Sequence, residues 1–170
     1  ADRPQKGRFR QFVQCDIDIL GDPGYLAEIE LILATTTLLG KLSFKNFTVR
    51  INDRRILKAM ASYSGFPKDR YDLVFIILDK MDKIGSSGVR EELLSNDFSQ
   101  DSVDTYMELF EKITHDISGI VYLRETLGDF LPADTAENLE TIIAGVNDTK
   151  VSEFKIEFDP TLVRGMSYYT

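Results

Sequence analysis

Hydrophobic and polar positions alternate in three stretches of the chain and recur at helical spacing through most of the rest. Val13, Cys15, Ile17 and Ile19 fall on one side of an extended backbone, and Phe12, Gln14, Asp16 and Asp18 fall on the other. A period of two predicts a half-buried β-strand. Phe47, Val49 and Ile51 alternate with Thr48 and Arg50 in the same way, as do Phe154, Ile156 and Phe158 with Lys155 and Glu157. Asp22 and Pro23 read as a helix start, a capping residue followed by proline in the first turn. The helix they open carries Tyr25, Leu26, Ile29, Ile32, Leu33 and Thr36, with Gly40 at its end.

The second alternating stretch leads into a long helical block. Asn52 or Asp53 caps a helix with Ile56, Leu57, Met60 and Tyr63, which Gly65 ends. Pro67 opens an amphipathic helix bearing Tyr71, Val74, Phe75, Leu78 and Met81. Gly85-Ser-Ser-Gly88 predicts a flexible turn, followed by a short helix from Val89 to Ser95. Ser99 caps the next helix, Gly128 ends the one after it, and Thr135 is expected to cap the last. Asp159-Pro160 then turns the chain after the third strand. The layout is α+β: sheet-forming portions at 1–52 and 151–170, with a helical insertion over 53–150.

Composition narrows the class. At 170 residues, 43% hydrophobic and 28% charged, the chain is globular and large enough to bury a core. A net charge of -8 argues against the whole chain acting as a nucleic-acid clamp, though not against a local basic patch. The single Cys15 rules out an internal disulfide framework and fits a reducing compartment, so a cytoplasmic protein is expected. No apolar run approaches about 18 residues, so no membrane span is expected, and no signal peptide pattern is visible. The chain starts and stops inside patterned sequence, which points to a piece of a longer protein.

Candidate chemistry gathers at the two ends. Arg3, Lys6, Arg8 and Arg10 precede the first strand with no acid among them. Composition alone reads this as a solvated hairpin tip. Phe12 beside the arginines points further, because guanidinium forks suit phosphate oxygens and an aromatic ring can stack on a base. Gln14, Asp16 and Asp18 share a strand face and can bind an ammonium or an imidazole N–H; hydrogen bonding to neighbouring backbone is the plain alternative. Near the other end, Arg164 precedes Gly165 and can neutralise charge developing on a phosphate or carboxylate. Tyr168 and Tyr169 read from the residues alone as core or interface aromatics. His115 is the single histidine and reads as a surface or capping residue; with no second His or Cys cluster, no metal site is expected. No phosphate-binding loop of the Gly-x-x-x-x-Gly-Lys type is present.

The stretch Arg3-Pro-Gln-Lys-Gly-Arg-Phe-Arg-Gln-Phe-Val-Gln-Cys-Asp-Ile-Asp-Ile-Leu-Gly21 resembles the second signature motif of class II aminoacyl-tRNA synthetases in its histidyl form. Leu162-Val-Arg-Gly-Met-Ser-Tyr-Tyr-Thr170 resembles that family's histidine-specific signature, and Arg50-Ile-Asn-Asp-Arg-Arg-Ile-Leu57 looks like a further family segment. The resemblance implies pieces of an antiparallel catalytic sheet flanking the helical insertion. It implies a two-step reaction: ATP (with Mg2+) and L-histidine give histidyl-adenylate, and the histidyl group then moves to tRNA(His). By matching position, Arg8 would contact the ATP phosphates, Phe12 would stack on adenine and Asp2 would lie near it. Gln14 would hold the histidine amino group and Asp18 the imidazole. Arg164 would bind the histidine carboxylate and the α-phosphate as electrostatic catalyst, with Tyr168 and Tyr169 lining the histidine pocket.

Two positions depart from the family pattern: Asp18 stands where many members carry Glu, and Ser167 replaces a common acid. The resemblance also implies a homodimeric parent with a dimerisation motif, a third motif with an ATP-binding arginine and an anticodon-binding domain, none of which this sequence contains. The chain alone is therefore expected to be inactive. The competing reading is a catalytically inactive histidyl-synthetase-like regulatory or sensor protein. The intact Lys6-Gly-Arg8-Phe-Arg10-Gln-Phe12 run and the Arg164-Gly pair favour the enzyme.

Overall fold

The computed structural model describes residues 25–163. In chain order they form helix α1 (Tyr25–Lys41), strand β1 (Phe47–Ile51), six helices and strand β2 (Phe154–Phe158). The six are α2 (Arg54–Tyr63), α3 (Tyr71–Leu78), α4 (Met81–Ser95), α5 (Gln100–Lys112), α6 (Ile117–Leu127) and α7 (Ala133–Thr149). The first predicted strand and the Asp22–Pro23 helix start lie outside the described residues.

β1 and β2 have the predicted alternation, and they pair with each other in parallel, Phe47 opposite Phe154 through Ile51 opposite Phe158. The expectation of antiparallel sheet pieces is thus corrected for this pair. Alternation fixes which face is buried and says nothing about direction. Parallel neighbours need a long crossover, and α2–α7 supply it, carrying the chain from the end of β1 back to the start of β2.

Two apolar clusters hold the elements. The larger joins α2 through α7 and reaches β2 through Phe158; its fully buried members include Ile56, Met60, Leu78, Leu93, Leu123 and Leu127. Tyr106 sits at its centre, edge-on to Phe66 and Phe110. The smaller packs α1 and α7 against the sheet: Ile142, Val146 and Phe154 are buried, and Ile29, Ile32, Leu33, Phe47 and Val49 lean on them. Phe47 and Phe154 stack as near-parallel rings, 5.3 Å between centroids, across the register. Helix α1 comes close to α7 at Gly145, where a Cβ would stand 2.8 Å from Ile29 Cδ1. Tyr25 and Leu26, placed by spacing on the buried face of α1, are 40% and 61% exposed.

Helix boundaries follow local chemistry, with three corrections. The first is that the helix expected from Pro67 through Met81 is α3 alone, ending at Leu78, while Met81 opens α4. Asp53 caps α2, its Oδ1 accepting from the Arg55 N–H at 2.8 Å. Ser99 caps α5 by accepting from the Ser102 N–H. The predicted Gly85–Gly88 turn is one residue only: Gly85, at φ 69°, breaks α4, which otherwise runs from Met81 to Ser95. One left-handed residue redirects the chain at little cost when it is glycine. Thr135 does not cap α7. Pro132 sets the extended entry, its carbonyl accepts from the Thr135 N–H at 3.1 Å, and Thr135 is buried in the first turn.

Candidate functional site

Each residue singled out for chemistry (Asp2, Arg8, Phe12, Gln14, Asp18, Arg164, Tyr168 and Tyr169) lies outside the described residues. The described fold brings none of them together. What it shows is the ground on the near side of Arg164: the last described residue is Val163, and the chain reaches it through a tightly bonded turn at the ends of both strands.

The turn begins as a continuation of the sheet. The Asp159 N–H donates to the Ile51 carbonyl at 2.9 Å. The Asp159 side chain then folds over its own turn: Oδ1 accepts from the Thr161 N–H at 2.9 Å and from the Thr161 hydroxyl at 2.6 Å. This is the local bonding that makes Asp-Pro a turn former. The Leu162 N–H returns to the Asp159 carbonyl at 3.1 Å. Finally the Asn52 Nδ2, just past β1, donates to the Leu162 carbonyl at 3.1 Å across 110 residues of sequence. The acceptor is a carbonyl, which fixes the amide orientation: the flipped form would set oxygen against oxygen.

Electrostatics reinforce the turn. Asp159 is only 5% exposed, and a buried carboxylate is costly unless it is paired. Its partners are the two Thr161 donors and Arg50, whose Nη1 stands 3.6 Å from Oδ2. Arg50 is half in solvent, so this pair is screened and its net contribution is modest. A small cavity of about 50 Å³ lies between this turn and the α3–α4 junction, bounded by Leu78, Asp79, Met81 and Asp82 on the helical side. A wider groove of about 310 Å³ continues past Arg50 and Pro160 to Glu111 and His115. His115 is exposed, as expected. Lys80 bridges to Glu92 at 2.9 Å.

On the far side of Asn52, Asp53 and Arg55 tie the start of α2 to α7. Arg55 Nη2 meets Asp53 Oδ2 at 2.8 Å and its Nη1 meets Asp134 Oδ1 at 3.1 Å. The hydrogen bond to Asp53 is the main reason the Arg55 guanidinium is held above its ordinary range. Among the described residues no group of three or more His, Cys, Asp or Glu side chains is placed to hold a metal ion, and no helix is long and apolar enough to cross a membrane.

Comparison with known proteins places this arrangement. The sequence model of the family described as histidyl-tRNA synthetase matches residues 1–170. The chain belongs to the histidyl-tRNA synthetase family. A histidine–tRNA ligase from Leifsonia xyli subsp. xyli is 44% identical over all of this chain and 40% of its own length. A probable histidine–tRNA ligase from Tropheryma whipplei is 41% identical over all of this chain and 42% of its own length. The chain thus spans about 40% of the length of these synthetase relatives. The crystal structure of histidyl-tRNA synthetase from Nostoc sp. PCC 7120 is similar with a TM-score of 0.72, at 22% identity, over 88% of this chain and 36% of that one. At that identity the likeness carries the fold, an α+β synthetase arrangement, and not the site.

Sequence reading missed Asn52 and Arg50 as parts of one constellation with Asp159. Asp159-Pro160 was visible as a turn, because its bonding is local. Nothing local in the sequence marks an amide that reaches a carbonyl more than a hundred residues away.

Proposed function

We propose that the full-length protein containing this chain is a cytoplasmic, homodimeric class II histidine–tRNA ligase, and that this chain carries part of its catalytic core. The observation that supports this most is the match of one family over all 170 residues, with the Arg8–Asp18 and Leu162–Thr170 signatures in their expected order. Within that reading, residues 1–52 and 151–170 belong to the core, and 53–150 form a helical insertion that helps grip the acceptor arm of tRNA(His).

The chemistry follows from the residue types. A histidine carboxylate oxygen attacks the α-phosphorus of ATP, and pyrophosphate leaves. A ribose hydroxyl of the tRNA then attacks the histidyl carbonyl, and AMP leaves. The first step builds negative charge at the α-phosphate and needs little proton transfer. Positioning and cationic stabilisation are the effective devices there. Arg164 sits against the carboxylate and the α-phosphate, Arg8 on the outer phosphates, and Phe12 on the adenine with Asp2 beside it. Gln14 and Asp18 orient the amino group and the imidazole, with Tyr168 and Tyr169 closing the pocket. Mg2+ enters with ATP as part of the substrate and neutralises its phosphates.

The test is histidine-dependent ATP–pyrophosphate exchange on the full-length protein, with Arg164→Ala beside the wild type. Exchange with histidine alone among the amino acids, reduced about a hundredfold or more in the variant, is the expected result. Histidine binding by calorimetry without exchange would favour a regulatory or sensor protein instead. The 170-residue chain by itself is expected to give no exchange.

A further inference from the structure

Arg164 has a task of position as well as charge: its guanidinium must meet the α-phosphate and the carboxylate together. A misplacement of about 1 Å at such a centre costs about a hundredfold in rate. The segment that delivers it is a turn held by side-chain hydrogen bonds as well as by packing. Apolar packing would suffice to close a turn, but it is not directional. Here Asp159, Asn52 and Thr161 fix the turn through directional hydrogen bonds, and a nearly buried carboxylate is retained to make them.

We propose that Asn52 and Asp159 are positioning residues for Arg164, tying the 159–163 turn to the end of β1 and so setting where the chain enters residue 164. This rests on the reading of Arg164 as the electrostatic catalyst. The Asn52 bond holds the Leu162 carbonyl, and Val163 packs against the main apolar cluster. Only one residue therefore separates the amide latch from Arg164, so little of a displacement at Leu162 is absorbed before it. The anchor also belongs to the helical side of the molecule. Asn52 is followed at once by Asp53, which caps α2, and the turn borders the α3–α4 junction.

The experiment is a mutant cycle on the full-length protein, read by histidine-dependent ATP–pyrophosphate exchange and by thermal melting. Asn52→Asp keeps the side-chain shape and sets an acceptor against the Leu162 carbonyl. The expected result is a kcat lowered about tenfold to a hundredfold, with KM for ATP held within about twofold. Thr161→Val removes one of the Asp159 bonds with little change of shape and is expected to lower kcat by about threefold. In an Arg164→Ala background neither substitution should lower the residual exchange further, because residues that act through one group are not additive. Wild-type kcat in both single variants, or the same fold loss with and without Arg164, overturns the positioning role. If Asn52→Asp does not fold, Thr161→Val carries the same decision. Wild-type exchange in Arg164→Ala alone would remove the premise, and with it the positioning role. Loss in Arg164→Ala beside unaffected Asn52→Asp and Thr161→Val removes the positioning role and leaves the premise standing.

Discussion

The helical block and the sheet unit are built to different standards of closure. From α2 to α7 the chain buries one continuous cluster with fully covered residues in five of its six helices and in β2. The sheet unit has two strands and α1, and its own cluster has three buried residues. Around it Leu26, Leu42, Phe44 and Val151 stay more than half exposed. A two-stranded sheet is marginal by itself. The block supports itself, and the sheet unit leans on α7, which serves both clusters. Of the two signatures proposed to carry the chemistry, the first joins the less closed region through α1, and the second follows the 159–163 turn, which leans on the large cluster through Val163.

The sharpest test of this difference is a pair of truncations in the full-length protein. Leu123→Ala, in the middle of the large cluster, should cost about 2–5 kcal/mol, the usual range for a fully buried leucine. Ile29→Ala, on the half-buried face of α1, should cost about 1 kcal/mol. Thermal melting of both variants reads the contrast, and equal losses would mean that the two regions are equally closed.

A smaller effect is expected at Asp116, which caps α6. Its carboxylate is held below its ordinary range by the Thr114 hydroxyl and then by the Gly119 N–H. A lowered folded-state value contributes stability above the unfolded value, about 3.9 for Asp, which is lost as pH falls through the lower folded value. Asp116→Ala should therefore cost more at pH 7, where loss of the cap is worth up to about 1 kcal/mol, than at the acid end, compared by melting at both pH values.

The smallest expected change is a gain. The Tyr106 hydroxyl is fully buried with no hydrogen-bond partner among the described residues, and burial raises its pKa. A raised value contributes stability below the unfolded value, about 10, which is lost as pH rises toward the folded one. Tyr106→Phe should be neutral or stabilising by up to about 1 kcal/mol near pH 7. It should also flatten the alkaline fall in melting temperature. A loss of stability would show that the hydroxyl has a partner.

Much of the fold was legible in the sequence because its causes are local. Asp53 and Ser99 cap the helices that their side chains predicted, and the Phe47 and Phe154 alternations became β1 and β2. Strand direction was not legible, since it is decided by how the block between the strands folds. Nor was the start of α7, where Pro132 overrode a better-looking cap at Thr135. As for the site, the signature residues can be proposed from type and order alone, while the bonds that hold the 159–163 turn cannot. Asn52 is an ordinary polar residue until the parallel pairing brings it beside Leu162.

That parallel pairing also sets a timetable. A strand pair joined through six helices pays its loop-closure entropy late, and such non-local contacts form slowly. β1 leaves the ribosome long before β2 exists, so Phe47 and Ile51 wait as an open edge while the block assembles between them. The Asn52–Leu162 bond, beyond the last rung of the ladder, closes only after β2 has paired with β1. On this order of events, a nascent chain acquires its helical block before β1 and β2 can pair.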